Sequence, residues 1–202
     1  KVKHLLPRIE QRLWMMPGGH AVTYFLRRGE LVNFVGLIEK ERPEEESWTT
    51  KHSWDELKAD FVGWHPAIQA IIENADKDAC YLWALHIREP IEGWSTQRVT
   101  MLGDSVHATL PYLAQGAAMA AEDGAVLTRA LQQEGSVADA LQLYQRNRYE
   151  RTARVVRESS ANGKLFHHPS REAMLEAFGK RDMGKERSMW LFNYNPWTVE
   201  LV

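Results

Sequence analysis

Two stretches carry residue types that could do chemistry. In the first, Asp104 follows Gly103 at the end of a short apolar run of Val99, Met101 and Leu102, where β-branched Val99 and Thr100 favour a strand. A carboxylate just past a strand suits a sugar hydroxyl. A loop ending near Pro111 follows, and then small residues crowd together: Ala114, Gly116, Ala117, Ala118, Ala120 and Ala121. From about Leu113 to Leu131 the pattern is helical. A helix whose first turn is Gly and Ala exposes backbone N–H groups with no bulky side chains over them. Such a helix start suits a negatively charged or electron-rich ligand.

The second stretch contains His20, directly after Gly18-Gly19 on a candidate strand. Its pKa near neutrality makes a histidine apt for general acid–base work, although an ordinary strand histidine has the same signature. His107, three residues after Asp104, reads as structural or ligand-adjacent rather than catalytic. The His167-His168 pair invites a metal, but no third ligand has suitable spacing and no HExxH is present. No metal is expected, and the pair reads as surface histidines. No GxSxG, SxxK or Walker loop supports a hydrolase or an NTPase.

The elements that must position these residues follow from periodicity and punctuation. His20–Arg27 and Leu31–Ile38 alternate as two strands of an antiparallel hairpin with Gly29 at a positive-φ position. On such a strand, His20 and Tyr24 share one face. Glu39–Thr50 is a charged connector with Glu44-Glu45-Glu46 solvated. Ser53 and Glu56 form a capping box for a helix from Trp54 to about Gly63, and Pro66 opens a second helix to about Asn74. Tyr81–Arg88 and the run from Arg98 read as strands. Val137–Ser160 is a long helix in which Leu141, Tyr144, Arg148, Arg151 and Val155 recur at spacings of three or four, with Asn162-Gly163 as its stop. Pro169-Ser170 opens a shorter helix that Gly179 closes. Trp190, Phe192, Tyr194 and Trp197 are aromatic anchors in the tail.

The arginines between Arg146 and Arg157 make a basic helix, read as a solvated face pairing with acidic neighbours. A formal net charge of −2 over 202 residues gives no footprint for nucleic acid or an anionic membrane, and neither is expected as a partner. No apolar run approaches the roughly 18 residues of a membrane span. The single cysteine, Cys80, excludes an intrachain disulfide and fits a cytoplasmic protein. Tyr24, Trp83 and Trp94 could line an aromatic pocket, with core packing as the default for each.

The runs GDSVH and LPYLAQGAAMAAEDG resemble the second flavin-contacting segment of FAD-dependent aromatic-ring monooxygenases, in particular the salicylate hydroxylase-like branch. PGGHAVTYFLRRGELVNFVG, FVGWHP and WALH resemble the substrate domain of the same branch. The departures are small: Ser105-Val106 for Ala-Ala, Gly124 for Ala, and Phe25 for Pro. The resemblance implies that Asp104 holds the ribityl chain of FAD. It places Pro111 and the backbone of Gln115, Gly116, Ala117 and Ala118 beside the isoalloxazine ring. It also turns His20 toward the substrate as an aid to phenol deprotonation.

The fold implied is an α+β arrangement: part of a substrate-domain β-sheet with its helices, one strand of the FAD-domain sheet, and C-terminal helices. Residues 1–97 would be the substrate-domain portion and 98–202 the flavin-contacting strand, loop and helices. The chemistry implied is hydroxylation of a phenol-like aromatic substrate with FAD, NAD(P)H and O2. The GxGxxG turn that cradles the FAD pyrophosphate in this family does not occur in the sequence, nor does the Asp-Gly motif preceding the substrate domain. The chain is therefore expected to be the C-terminal half of such an enzyme. It should not retain FAD alone, and should be covered by a companion N-terminal half or a second copy. The alternative is a non-enzymatic remnant or partner-binding half.

Overall fold

A computed structural model of the chain describes residues 2–6, 8–40, 47, 49–180, 185 and 188–202. It is a mixed α+β structure. Strands β1 (Arg12–Met16), β2 (Gly19–Leu26) and β3 (Leu31–Ile38) precede helices α1 (Trp54–Asp60), α2 (Pro66–Glu73), α3 (Asp104–His107), α4 (Gly116–Gln133), α5 (Val137–Phe166) and α6 (Arg171–Gly179). The chain forms two compact units. One comprises Lys1–Ala84 with Phe166–Leu175, the other Leu85–Leu165 with Glu176–Val202.

In the first unit the three strands form an antiparallel sheet in the order β1-β2-β3. The hairpin expected between β2 and β3 is present, with Gly29 at φ 91°, but Arg27 and Arg28 also take left-handed backbone. β1 was not legible in the sequence. Its residues, RLWMM, do not alternate, and its strand state comes from pairing Trp14 with Ala21 and Met15 with His20. Because side chains alternate along a strand, β2 presents two different faces. Ala21 is fully buried against Phe61, Trp64, Ile68 and Ile72, while Thr23 Oγ1 accepts a 2.9 Å hydrogen bond from Trp14 Nε1. His20, Val22 and Tyr24 occupy the opposite face.

Helix α2 supplies much of this core because Ile68, Ile71 and Ile72 recur at helical spacing. Each buried isoleucine contributes about 1.5–3 kcal/mol. Pro66 stands in its first turn, and His65 Nδ1 accepts from the Ala67 N–H at 3.1 Å. The capping box expected for α1 does not form. Ser53 occupies the N-cap without a side-chain bond, and Glu56 Oε2 instead lies 3.4 Å from His52 Nδ1. The helix ends at Asp60, with Gly63 three residues beyond it at φ 81°. The acidic run Glu44-Glu45-Glu46 lies outside the described residues.

In the second unit, α4 and α5 enclose Val126, Ala130, Ala140, Leu143 and Tyr144 together with Trp94, Val106 and Leu201. Trp94 is therefore core, whereas Trp83 is 46 % exposed. Helix α5 runs six residues past the stop expected at Ser160. Gly163 is a contact glycine rather than a terminator: a Cβ on it would stand 2.5 Å from Tyr112 Cε2. The tail aromatics divide. Trp190 stacks under Arg154 and Tyr194 under Arg151, but Phe192 and Trp197 are each 63 % exposed.

Two expected strands are not strands among the described residues. Tyr81–Arg88 takes no regular secondary structure, and only Tyr81 forms a bridge, to Lys51. Arg98–Leu102 likewise makes one bridge, Thr100 to Ser95. Strand propensity produces an extended segment; a ladder also needs a neighbour with free backbone groups, and none of β1–β3 pairs with either run.

Candidate functional site

The Gly-Asp turn and the small-residue helix start lie close together in the second unit. Gly103 has φ 59° and ψ −144°, a conformation that an L-residue rarely adopts, and it forms the N-cap of the short helix α3. Asp104 is the first residue of that helix and is exposed. A Cβ on Gly116 would lie 4.0 Å from Asp104 Oδ1 and 3.9 Å from Thr109 Cγ2, so the carboxylate stands beside the first residue of α4. Pro111 opens a single 3-10 turn through Leu113. Ala114 then takes left-handed backbone at φ 54°, and Gln115 is the N-cap of α4. The first bond of the helix is Met119 N–H to Gln115 C=O at 2.8 Å, so the N–H groups of Gly116, Ala117 and Ala118 precede the intrahelical ladder. Ala117 and Ala118 are exposed, and Pro111 with them.

A buried ionic network holds this turn against the helices. Asp123, on α4, is fully buried. Its Oδ2 accepts from the Gly103 N–H at 2.8 Å and from His107 Nε2 at 2.7 Å, and its Oδ1 accepts from Arg148 Nε at 2.7 Å. Arg148, on α5, is also fully buried and donates to Glu122 and to Tyr194 Oη. Arg151 grips Glu122 with two further bonds of 2.6 and 2.8 Å. Burial by itself would raise the Asp123 carboxyl. The hydrogen bond from His107, the Arg148 charge and the Gly103 N–H outweigh burial and hold it below the ordinary carboxylate range. Arg148 thus departs from the solvated basic face expected of α5, although Arg154 and Arg157 do lie exposed. The signal was available: Arg148 falls on the same three-to-four spacing as Leu141, Tyr144 and Val155, the stripe that becomes core.

In the first unit His20 is 2 % exposed. It pairs in register with Leu37 of β3, and Glu39 lies two residues beyond Leu37, on the same side. The Glu39 N–H is anchored to the Gly18 carbonyl at 2.9 Å. His20 Nδ1 lies 2.6 Å from His167 Nε2, and His167 Nδ1 lies 2.6 Å from Glu39 Oε1. The Phe166 ring closes edge-on against His20 at 5.4 Å. Burial, reinforced by the neighbouring His167, lowers the His20 pKa to about 4. His167 is therefore not a surface histidine; the preceding Leu165-Phe166 pair, both buried, was the sign that the chain is still in a core there. Among the described residues no group of three or more His, Cys, Asp and Glu is arranged for a metal. No described helix is long and apolar enough to cross a membrane.

A small-residue helix start thus stands beside an exposed carboxylate, placing backbone N–H donors and an anionic acceptor at one place. The chain belongs to the FAD binding domain family, whose sequence model matches residues 21–159. It is 37% identical over 193 residues to 3-hydroxybenzoate 6-hydroxylase of Polaromonas naphthalenivorans, covering 91% of this chain and 46% of that protein. It is 40% identical over 153 residues to 6-hydroxynicotinate 3-monooxygenase of Bordetella bronchiseptica, covering 74% of this chain and 39% of that protein. Its fold matches a salicylate hydroxylase substrate complex with a TM-score of 0.75 and 24% identity, over 92% of this chain and 47% of that one. The chain thus spans about half the length of these relatives.

The described residues fit part of FAD. Asp104 would offer a carboxylate to a hydroxyl chain, and the Gly116–Ala118 turn would offer N–H donors that precede the intrahelical ladder. No GxGxxG turn exists in the sequence to receive the pyrophosphate.

Proposed function

We propose that this chain is the C-terminal portion of a flavin-dependent monooxygenase that hydroxylates a phenol-like aromatic substrate. The observation that carries the reading is the approach of Asp104 Oδ1 to the first residue of α4. A carboxylate for the ribityl hydroxyls and a set of helix-start donors for the ring edge occur at one place. Residues 1–97 serve the substrate and residues 98–202 contact the flavin. When bound, FAD supplies the activation of O2, with electrons from NAD(P)H.

This chain's own residues hold the ribityl chain and ring edge and face the substrate. Asp104 binds the ribityl chain. Pro111 and Gln115 shape the approach to the ring, and the N–H groups of Gly116, Ala117 and Ala118, at the positive end of an 18-residue helix, favour negative charge at the ring's carbonyl edge. His20 assists removal of the phenol proton, which raises the electron density of the ring to be hydroxylated. A companion N-terminal half or a second copy covers the exposed apolar runs: Tyr81, Trp83, Leu85 and Ile87 are 41–46 % exposed, and Val99 is 63 % exposed.

The test separates the two roles in the complete enzyme. His20→Ala should slow hydroxylation by about 10²–10⁴-fold and leave FAD affinity unchanged. Asp104→Ala should weaken FAD binding by about 10–100-fold, the worth of a charge-assisted hydrogen bond. FAD binding that ignores Asp104→Ala would remove the cofactor assignment. Hydroxylation that ignores His20→Ala would remove the catalytic one and leave a cofactor-contacting half with no catalytic residue of its own.

A further inference from the structure

The face of β2 that carries His20 holds a chain of three titratable groups, of which the hydroxylation reading assigns His20 alone. Glu39 Oε1 is 2.6 Å from His167 Nδ1, and His167 Nε2 is 2.6 Å from His20 Nδ1. The chain runs from the interior outward. His20 is 2 % exposed, the His167 side chain 3 % and the Glu39 side chain 63 %. An ionised carboxylate only accepts, so Glu39 requires a proton on His167 Nδ1. When His167 is neutral, its Nε2 is then an acceptor, and His20 Nδ1 is the donor to it. In that state the two bonds run in one direction, from His20 to Glu39.

We propose that Glu39 and His167 are positioning residues for His20, fixing its proton on Nδ1 and connecting that proton to solvent. When Nε2 of His20 takes a proton, the Nδ1 proton passes to His167 Nε2. The His167 Nδ1 proton passes to Glu39 Oε1, and the resulting carboxylic acid releases it to water. One proton enters the chain and one leaves, and both rings end as Nε2–H tautomers. Reverse passage from solvent restores them. A buried histidine beside a second histidine resists carrying a charge of its own, and the relay lets His20 accept a proton without holding a net positive charge. The catalytic value of the relay rests on the reading of His20 as the base, but its existence does not.

Imidazole nitrogen NMR of the purified chain, labelled with 15N-histidine, reads the tautomer of each ring directly. In the unmodified protein both His20 and His167 should carry Nδ1–H. Glu39→Lys replaces the acceptor at the solvent end of the chain with a group that only donates. That side chain is mostly in solvent, so the fold should tolerate the change. His167 should then be forced to Nε2–H, and His20 should lose its Nδ1–H and carry Nε2–H as well. A second, milder variant, Glu39→Asp, keeps an acceptor and should retain the original tautomers. An unmodified protein with His20 already Nε2–H, or a Glu39→Lys variant in which His20 keeps Nδ1–H, would overturn the proposal. The readout is ring protons and not hydroxylation, so its failure is separate from a failure of His20→Ala to slow the enzyme.

Discussion

At the scale of single residues, burial of ionisable groups has measurable consequences. His20 is held neutral, with a pKa lowered from 6.5 to about 4. The unfolded chain therefore binds more protons than the native one between those values, and stability rises with pH across that window. Thermal unfolding followed by circular dichroism should show a midpoint that falls as pH drops from about 6.5 toward 4. His20→Leu should flatten that part of the profile. The Asp123 carboxyl is displaced in the same direction, downward, but by its partners: the His107 hydrogen bond, the Arg148 charge and the Gly103 N–H outweigh burial. Its depressed pKa contributes stability above the ordinary carboxylate range, lost only as pH falls through its folded value. Arg148→Met should be the most damaging single change in the second unit. It leaves a fully buried carboxylate facing no cation, at a cost of about 3–5 kcal/mol measurable by urea unfolding.

Elements show where local preference yields to contact. Gly163 sits in the interior of α5, where an alanine would ordinarily gain about 1 kcal/mol. Here the Tyr112 ring fills the space that a Cβ would need, at 2.5 and 2.9 Å from ring carbons. Gly163→Ala should therefore destabilise by about 1–3 kcal/mol, the usual cost of overpacking. Adding Tyr112→Ala should turn the same alanine into a stabilising change, and a double-mutant cycle on unfolding free energies reads the coupling. If Gly163→Ala stabilises by itself, the glycine is not there for the ring. Helix α4 makes the complementary point: its first turn is built of small residues while its second carries Glu122 and Asp123. The turn that is locked to α5 thus directly follows the small-residue one.

For the whole molecule, the runs at 81–88 and 98–102 expose apolar side chains, and neither forms a ladder among the described residues. Together with the missing pyrophosphate cradle, this leads to one expectation. Size-exclusion chromatography of the chain alone should give a colourless oligomer, and co-expression with an N-terminal half should give a yellow complex. A yellow, monodisperse monomer of this chain by itself would contradict the proposal that the cofactor needs a second polypeptide.

The sequence by itself determined the hairpin of β2 and β3, the helices from Pro66, Gly116 and Val137, and the Gly-Asp turn. These are readable because periodicity, proline, glycine and runs of small residues act within a few positions of one another. The adjacency of Asp104 and Gly116 was legible only through the family pattern, because nothing local brings two residues twelve positions apart into one site. Only the tertiary structure decided that α5 continues through Gly163, that Arg148 is interior, that Arg98–Leu102 lacks a ladder and that His167 meets His20. Three of these depend on a partner far along the chain: Tyr112 for the glycine, Asp123 for the arginine, and the β2–β3 face for the histidine. Local patterns state what a segment can be, whereas the burial of a charge or the closing of a hydrogen bond depends on what the fold brings opposite it.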